Sequence, residues 1–167
     1  MNRCSAPAAS FPRRKVTGIR SRRSFPDTIG HGWTYSSHPL CAAAGVANLE
    51  VVDELDLVAN ARDVGAYFKN ALNDAVGSNR FVGEVRGEGM MAAIEFVRDR
   101  DDRVFFDVSE KVGLRIAAAL LERGVIGRAM PQGDILGFAP PLCLTRDEAD
   151  TIVTATKGAV EGVTGTL

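Results

Sequence analysis

His31-Gly32-Trp33-Thr34-Tyr35-Ser36-Ser37-His38-Pro39 packs hydroxyls, a glycine and an aromatic ring into nine residues and then opens a helix. Proline fits a first helical turn because its missing N–H would have had no partner there. The hydroxyl-rich loop is therefore expected at a helix N-terminus. Unpaired backbone amides and the positive end of the helix dipole favour an anion at such a place, and Thr34, Ser36 and Ser37 add donors. Two readings follow: a phosphate or carboxylate loop, or a cap in which the hydroxyls satisfy the orphan amides by themselves.

Downstream, Pro39 to Glu54 carries small or apolar residues on nearly every face, a pattern that expects burial all round. Leu57 to Val76 follows as a helix with Val58, Ala61, Val64, Ala66, Phe68 and Leu72 on one side, ended by Gly77-Ser78-Asn79. Phe81 to Gly87 and Met90 to Val97 read as two strands joined through Arg86-Gly87-Glu88-Gly89, whose two glycines read as a hairpin turn needing positive φ or, on weaker evidence, as a phosphate cradle. The charged run Arg98 to Arg103 reads as a solvated loop. Val108 to Arg123 reads as a helix with Val112, Leu114, Ile116, Ala117, Leu120 and Leu121 inward. Two short strands, Val125 to Met130 and Asp134 to Phe138, flank Pro131-Gln132-Gly133, and Pro140-Pro141 ends the second. Thr145 followed three positions on by Glu148 is a capping box for a last helix to about Val160. From Phe81 onward the order predicts a small α+β domain of antiparallel strands with helices on one face.

Upstream, residues 1–30 hold seven basic residues against the single acid Asp27, although the whole chain is nearly balanced at 20 basic and 21 acidic. Three prolines and no sustained apolar period predict a disordered or non-native arm on an acidic body. An organelle address and a nucleic-acid tail are the functional alternatives for it. The net charge of -1 gives the whole chain no reason to seek nucleic acid or a membrane. Cys4, Cys41 and Cys143 lack metal or disulfide spacing, which fits a reducing cytoplasm, and Cys41 and Cys143 lie in apolar runs expected in the core. His31 and His38 have no carboxylate or thiol companions in the loop, so both read as structural and no metal site is expected.

Arg128 stands among Val125, Ile126, Gly127, Ala129 and Met130, where an unpaired guanidinium needs a partner or an exit to a cleft. A strand-end arginine reaching solvent satisfies the same constraint. Trp33 either covers one side of a ligand or packs.

The opening stretch, continued by Cys41-Ala42-Ala43-Ala44, resembles the HG-aromatic-TYSGHP-x-x-C/A-A-A signature of the class III aminotransferases, with Ser37 where that family has glycine. Val85-Arg86-Gly87-Glu88-Gly89-Met90-Met91 resembles the family's VRG-x-G hairpin. Gly124-Val125-Ile126-Gly127-Arg128, followed by Gly133-Asp134-Ile135-Leu136 and Ala139-Pro140-Pro141-Leu142, resembles its C-terminal segment, in the branch that acts on amines and ω-amino acids with pyruvate. The likeness spans about His31 to Val163 and implies the C-terminal part of a fold-type-I α/β transferase. Residues 31–80 would be the end of its large domain with long connecting helices, and residues 81–163 its small α+β domain.

The resemblance implies pyridoxal 5'-phosphate as cofactor, with Gly32, Thr34 and Ser36 near its phosphate; Thr34 would reach the phosphate held by a neighbouring subunit. It implies Arg128 on the substrate carboxylate, beside which Trp33 is the candidate to cover the ligand. It also implies a homodimer or a full-length aminotransferase partner, with an amino donor and an oxo acid as small-molecule partners. Enzymes of this family need a lysine that attaches the cofactor, some thirty residues before the HG-aromatic-TYSG loop. Here only Lys15 precedes the loop, too close and in different company, so the expectation is a truncated portion that does not turn over alone. The alternative is a non-catalytic interaction module that pairs with a full-length subunit or another protein.

Overall fold

The computed structural model describes Thr34, residues 38–131 and residues 134–167. The basic arm and most of the opening loop therefore lie outside the described residues. The first helix, α1 (Pro39–Glu54), starts on its proline and hands over through Leu55 and Asp56 to α2 (Leu57–Val76). Asp56 takes a left-handed conformation at φ 45°, which a short polar side chain tolerates better than most, and this turns the chain sharply.

A hairpin follows, β1 (Val82–Glu88) and β2 (Met91–Phe96), closed by Gly89 and Met90 with Gly89 at φ 55°. Helix α3 (Val112–Leu121) precedes β3 (Arg128–Ala129) and β4 (Ile135–Phe138), and α4 (Arg146–Thr164) completes the chain. The sheet is antiparallel throughout, in the order β1-β2-β4-β3.

Strand alternation sends Ala92, Ile94 and Phe96 of β2, with Leu136 and Phe138 of β4, into a core shared with the helices. Phe68, Leu72 and Val76 of α2, Val112, Ile116 and Leu120 of α3, and Ala149, Ala159 and Val160 of α4 fill the other side. Phe68 meets Phe138 edge to face at 5.9 Å between ring centroids, a favoured aromatic geometry. Gly65 on α2 lets the hairpin tip lie against the helix backbone, since a Cβ there would stand 2.0 Å from the Gly89 carbonyl oxygen. All three helices pack on one face of the sheet, the two-layer plan the sequence predicts.

The capping box of α4 is present: the Thr145 side chain accepts from the Glu148 amide, and the Glu148 carboxylate accepts from the Thr145 amide at 2.8 Å. Other expectations need correction. The helix expected from Val108 begins only at Val112, because Asp107 and Glu110 form their own capping box around a 3-10 turn (Val108–Glu110) and Lys111 then reverses the chain at φ 47°. Leu114 and Leu121 are more than half exposed, so the inward face of α3 is narrower than its composition suggests.

Arg98 to Arg103 is not simply a solvated run. Arg100 folds back and donates to the carbonyls of Gly77 at 2.8 Å, Asn79 at 3.0 Å and Val82, tying the end of α2 to the start of β1. Cys41 and Cys143 are exposed, Cys41 because no residue of α1 is buried. Leu40 and Leu49 of that helix are 73% and 65% exposed. Burial all round is thus not achieved within this chain, and α1 presents an apolar face outward.

Candidate functional site

The face of the sheet turned away from the helices carries the site. The register sets Arg86 opposite Ala93, Ala93 opposite Gly137, and Gly137 opposite Arg128, one row across four strands. An arginine stands at each end, and the two residues between them are among the smallest available. With strands about 4.8 Å apart, the two arginine Cα atoms are about 14 Å apart. The small residues leave a trough between the guanidiniums. Its cavity is about 590 Å³, with Met91, Met130 and Ile135 among its apolar walls.

The two arginines differ electrically. Arg86 donates through one terminal nitrogen to Glu84 at 3.0 Å and to Glu95. The Glu95 hydrogen bond holds the Arg86 guanidinium more firmly protonated, partial desolvation works against it, and Glu84 adds a smaller contribution in the same sense as Glu95. Arg128 is exposed and lines the cavity, and its side chain makes no hydrogen bond or ion pair among the described residues. A planar fork of donors beside an apolar trough is suited to a carboxylate carrying a hydrocarbon chain.

Thr34, also exposed, lies in a turn five residues before Pro39 and does not line this trough. Helix α1 has no side-chain cap hydrogen bond from its N-cap residue His38, and no acidic residue in its first turn. The serine hydroxyls on which the cap reading rests, Ser36 and Ser37, lie outside the described residues; amides of a first helical turn and a threonine hydroxyl are donors of the type a phosphate requires. Gly32, Trp33 and Ser36 lie outside the described residues.

The profile of the aminotransferase class-III family matches residues 7–160, a range that begins inside the basic arm. The chain belongs to the class-III aminotransferases. A diaminobutyrate–2-oxoglutarate transaminase of Halomonas elongata is 55% identical over 139 residues, covering 83% of this chain and 30% of that protein. A transaminase from directed evolution by ancestral reconstruction superposes with a TM-score of 0.80 at 57% identity, over 84% of this chain and 31% of the other. An (S)-enantioselective omega-transaminase from Thermomicrobium roseum gives a TM-score of 0.74 at 36% identity, over 82% of this chain and 30% of the other. The chain spans about 30% of the length of these relatives.

In this class-III aminotransferase chain the described lysines stand away from the trough. Lys69 reaches the Gly87 carbonyl at 3.5 Å, Lys111 precedes α3, and Lys157 faces Glu161 at 4.0 Å. Lys15 lies outside the described residues. No group of His, Cys, Asp and Glu among the described residues is arranged to hold a metal ion. No helix among them is long and apolar enough to cross a membrane.

Sequence reasoning singled out Arg128 but passed over Arg86. The signal was present in the alternation Glu84, Arg86, Glu88, which puts three charged residues on one face of a strand. Only the pairing register, however, brings that face into line with Arg128 through Ala93 and Gly137. Asp134 has a structural role. Its carboxylate accepts from the Gly113 amide at 2.7 Å, closing the start of α3 and anchoring the segment that leads into β4.

Proposed function

We propose that this chain supplies the substrate-carboxylate site and the phosphate-reaching loop of an aminotransferase that moves an amino group from an amine or ω-amino acid to an oxo acid such as pyruvate. The observation that carries the proposal is the unpaired Arg128 at the edge of an apolar trough, in a chain of the class-III family. Amino acids and oxo acids share the carboxylate that such a guanidinium recognises. The Halomonas relative is named for an amino acid and an oxo acid, both of which carry a carboxylate.

The residues present fit pyridoxal phosphate at its phosphate end. Thr34 offers a hydroxyl, α1 offers amides with no cap from His38, and Gly32 and Ser36 are proposed to complete the loop. When bound, the cofactor supplies the electron sink that labilises the amine carbon and carries the amino group from donor to acceptor. Arg128 fixes the carboxylate and thereby the orientation of the substrate, the trough walls hold its chain away from water, and Trp33 is proposed to cover it. We propose that turnover involves a second subunit, either another copy of this chain or a full-length aminotransferase. The exposed apolar face of α1 gives that subunit a surface to cover. We place this assembly in the cytoplasm.

The test is a titration of the ¹⁵N-labelled chain with hexanoate, a carboxylate on an apolar chain. Shifts centred on Ala93, Gly137 and Arg128, weakened about tenfold or more in Arg128→Gln, are expected from the loss of charge-assisted hydrogen bonds of about 1.5–3 kcal/mol. Binding that ignores Arg128→Gln contradicts the proposal.

A further inference from the structure

The row that carries Arg128 has a second arginine at its other end, and two arginines facing one trough would ordinarily suit a ligand with two carboxylates. With both guanidiniums upright over their own strands, about 14 Å apart, a guanidinium-to-carboxylate distance of about 4 Å at each end leaves about 6 Å. That is about the separation of the two carboxyl carbons in an extended six-carbon diacid.

Arg86, which also lines the trough, is already engaged. One of its two terminal nitrogens, Nη1, is shared by Glu84 and Glu95. Both carboxylates line a neighbouring depression with Gly83, Val97 and Arg100 and not the trough itself. Glu95 is three-quarters buried, so the pair is partly shielded from solvent. An incoming second carboxylate at the β1 end of the row must therefore compete with two resident carboxylates for the same guanidinium. The rest of the floor and walls, Ala93, Met91 and Ile135, suits an uncharged chain.

We propose that Glu84 and Glu95 are positioning residues that engage Arg86 where it lines the trough, so that the site selects ligands with one carboxylate and an uncharged chain over dicarboxylates. This inference rests on the trough being the carboxylate site proposed above.

The experiment compares hexanoate with adipate, equal in carbon number and differing by one carboxylate, in NMR titrations of the full chain. The unaltered chain binds hexanoate several-fold more tightly than adipate. In Glu84→Gln with Glu95→Gln, Arg86 is released and the adipate-to-hexanoate affinity ratio rises about tenfold, the scale of one charge-assisted contact. Adding Arg86→Met to that variant returns the ratio to its starting value. A merely structural role for the glutamates would change both affinities together and leave the ratio alone. If the ratio does not move while hexanoate binding still depends on Arg128, this inference is overturned and the carboxylate site stands. If the unaltered chain binds no hexanoate, both fall. Should the double variant fail to fold, Arg86→Met alone decides the matter. It leaves both affinities within twofold if Arg86 is already engaged by the two glutamates, and a selective loss of adipate binding of fivefold or more overturns the inference.

Discussion

Gly65→Ala tests how the hairpin that carries Arg86 is held in place. An alanine Cβ at this buried helical position would stand 2.0 Å from the Gly89 carbonyl oxygen, 2.4 Å from its carbonyl carbon and 3.0 Å from its Cα. All three are backbone atoms, so no side chain can rotate away. To restore an ordinary contact near 3.5 Å the hairpin tip must withdraw by more than about 1 Å, opening a gap above Met90 and Ala92. Overpacking of this kind costs about 1–3 kcal/mol, and the rigidity of both partners puts this case at the upper end. Alanine returns about 1 kcal/mol through helix propensity. The net expectation is destabilisation by about 2 kcal/mol, or a fall in Tm of roughly 6 °C for a domain of this size. Thermal unfolding by circular dichroism, with a urea titration alongside, measures it. An alanine variant more stable than the parent by about 1 kcal/mol, as at an unobstructed helical site, would refute the close approach of α2 and the hairpin.

Thr145→Ala removes the acceptor for the Glu148 amide and frees the Glu148 carboxylate from its side of the box, and a urea titration should show a loss of about 1 kcal/mol. Stability should also fall with acid in a way that traces to two carboxylates. The side-chain bond from Arg98, followed by the Asp107 amide, holds the Glu110 carboxyl below its ordinary value, and the Thr145 amide, followed by the Thr145 hydroxyl, does the same for Glu148. For a depressed carboxyl the stabilisation is complete above the unfolded-state value of about 4.3 and is lost as pH falls through the lower folded-state value. Glu110→Gln with Glu148→Gln should therefore flatten the acid limb of a Tm-against-pH curve below about pH 4.5, and an unchanged limb would contradict this.

Much of the architecture was legible because local rules and the global fold agree. The extent of α2, the Thr145–Glu148 box and a glycine-bearing hairpin turn each follow from a few neighbouring residues, and each is found in place, although Val58 and Ala66, expected on the apolar side of α2, are exposed. Arg128 was legible as an arginine in an apolar run, but its neighbours across the sheet were not. Strand register depends on pairing between residues far apart in sequence, and that pairing aligns Arg86 with Arg128. The burial expected for α1 and for Cys41 failed for a related reason. Apolarity says that a surface wants covering, but not that the cover lies within the same chain. The Arg100 clamp was hidden because a charged run in sequence gives no sign of which carbonyls will come within its reach.

The measurement closest to the central claim grafts residues 31–163 in place of the matching segment of the Halomonas elongata diaminobutyrate–2-oxoglutarate transaminase, a substitution favoured by their 55% identity. Loaded with cofactor, the hybrid is assayed in its first half-reaction with 2,4-diaminobutyrate and with 1,3-diaminopropane, which differs only in lacking the carboxylate. The account predicts an active hybrid in which Arg128→Gln lowers kcat/KM for diaminobutyrate about 10- to 100-fold, the scale of lost charge-assisted bonds, and changes diaminopropane by no more than about twofold. A folded hybrid that does not transaminate, or an Arg128→Gln effect equal for the two amines, would contradict it.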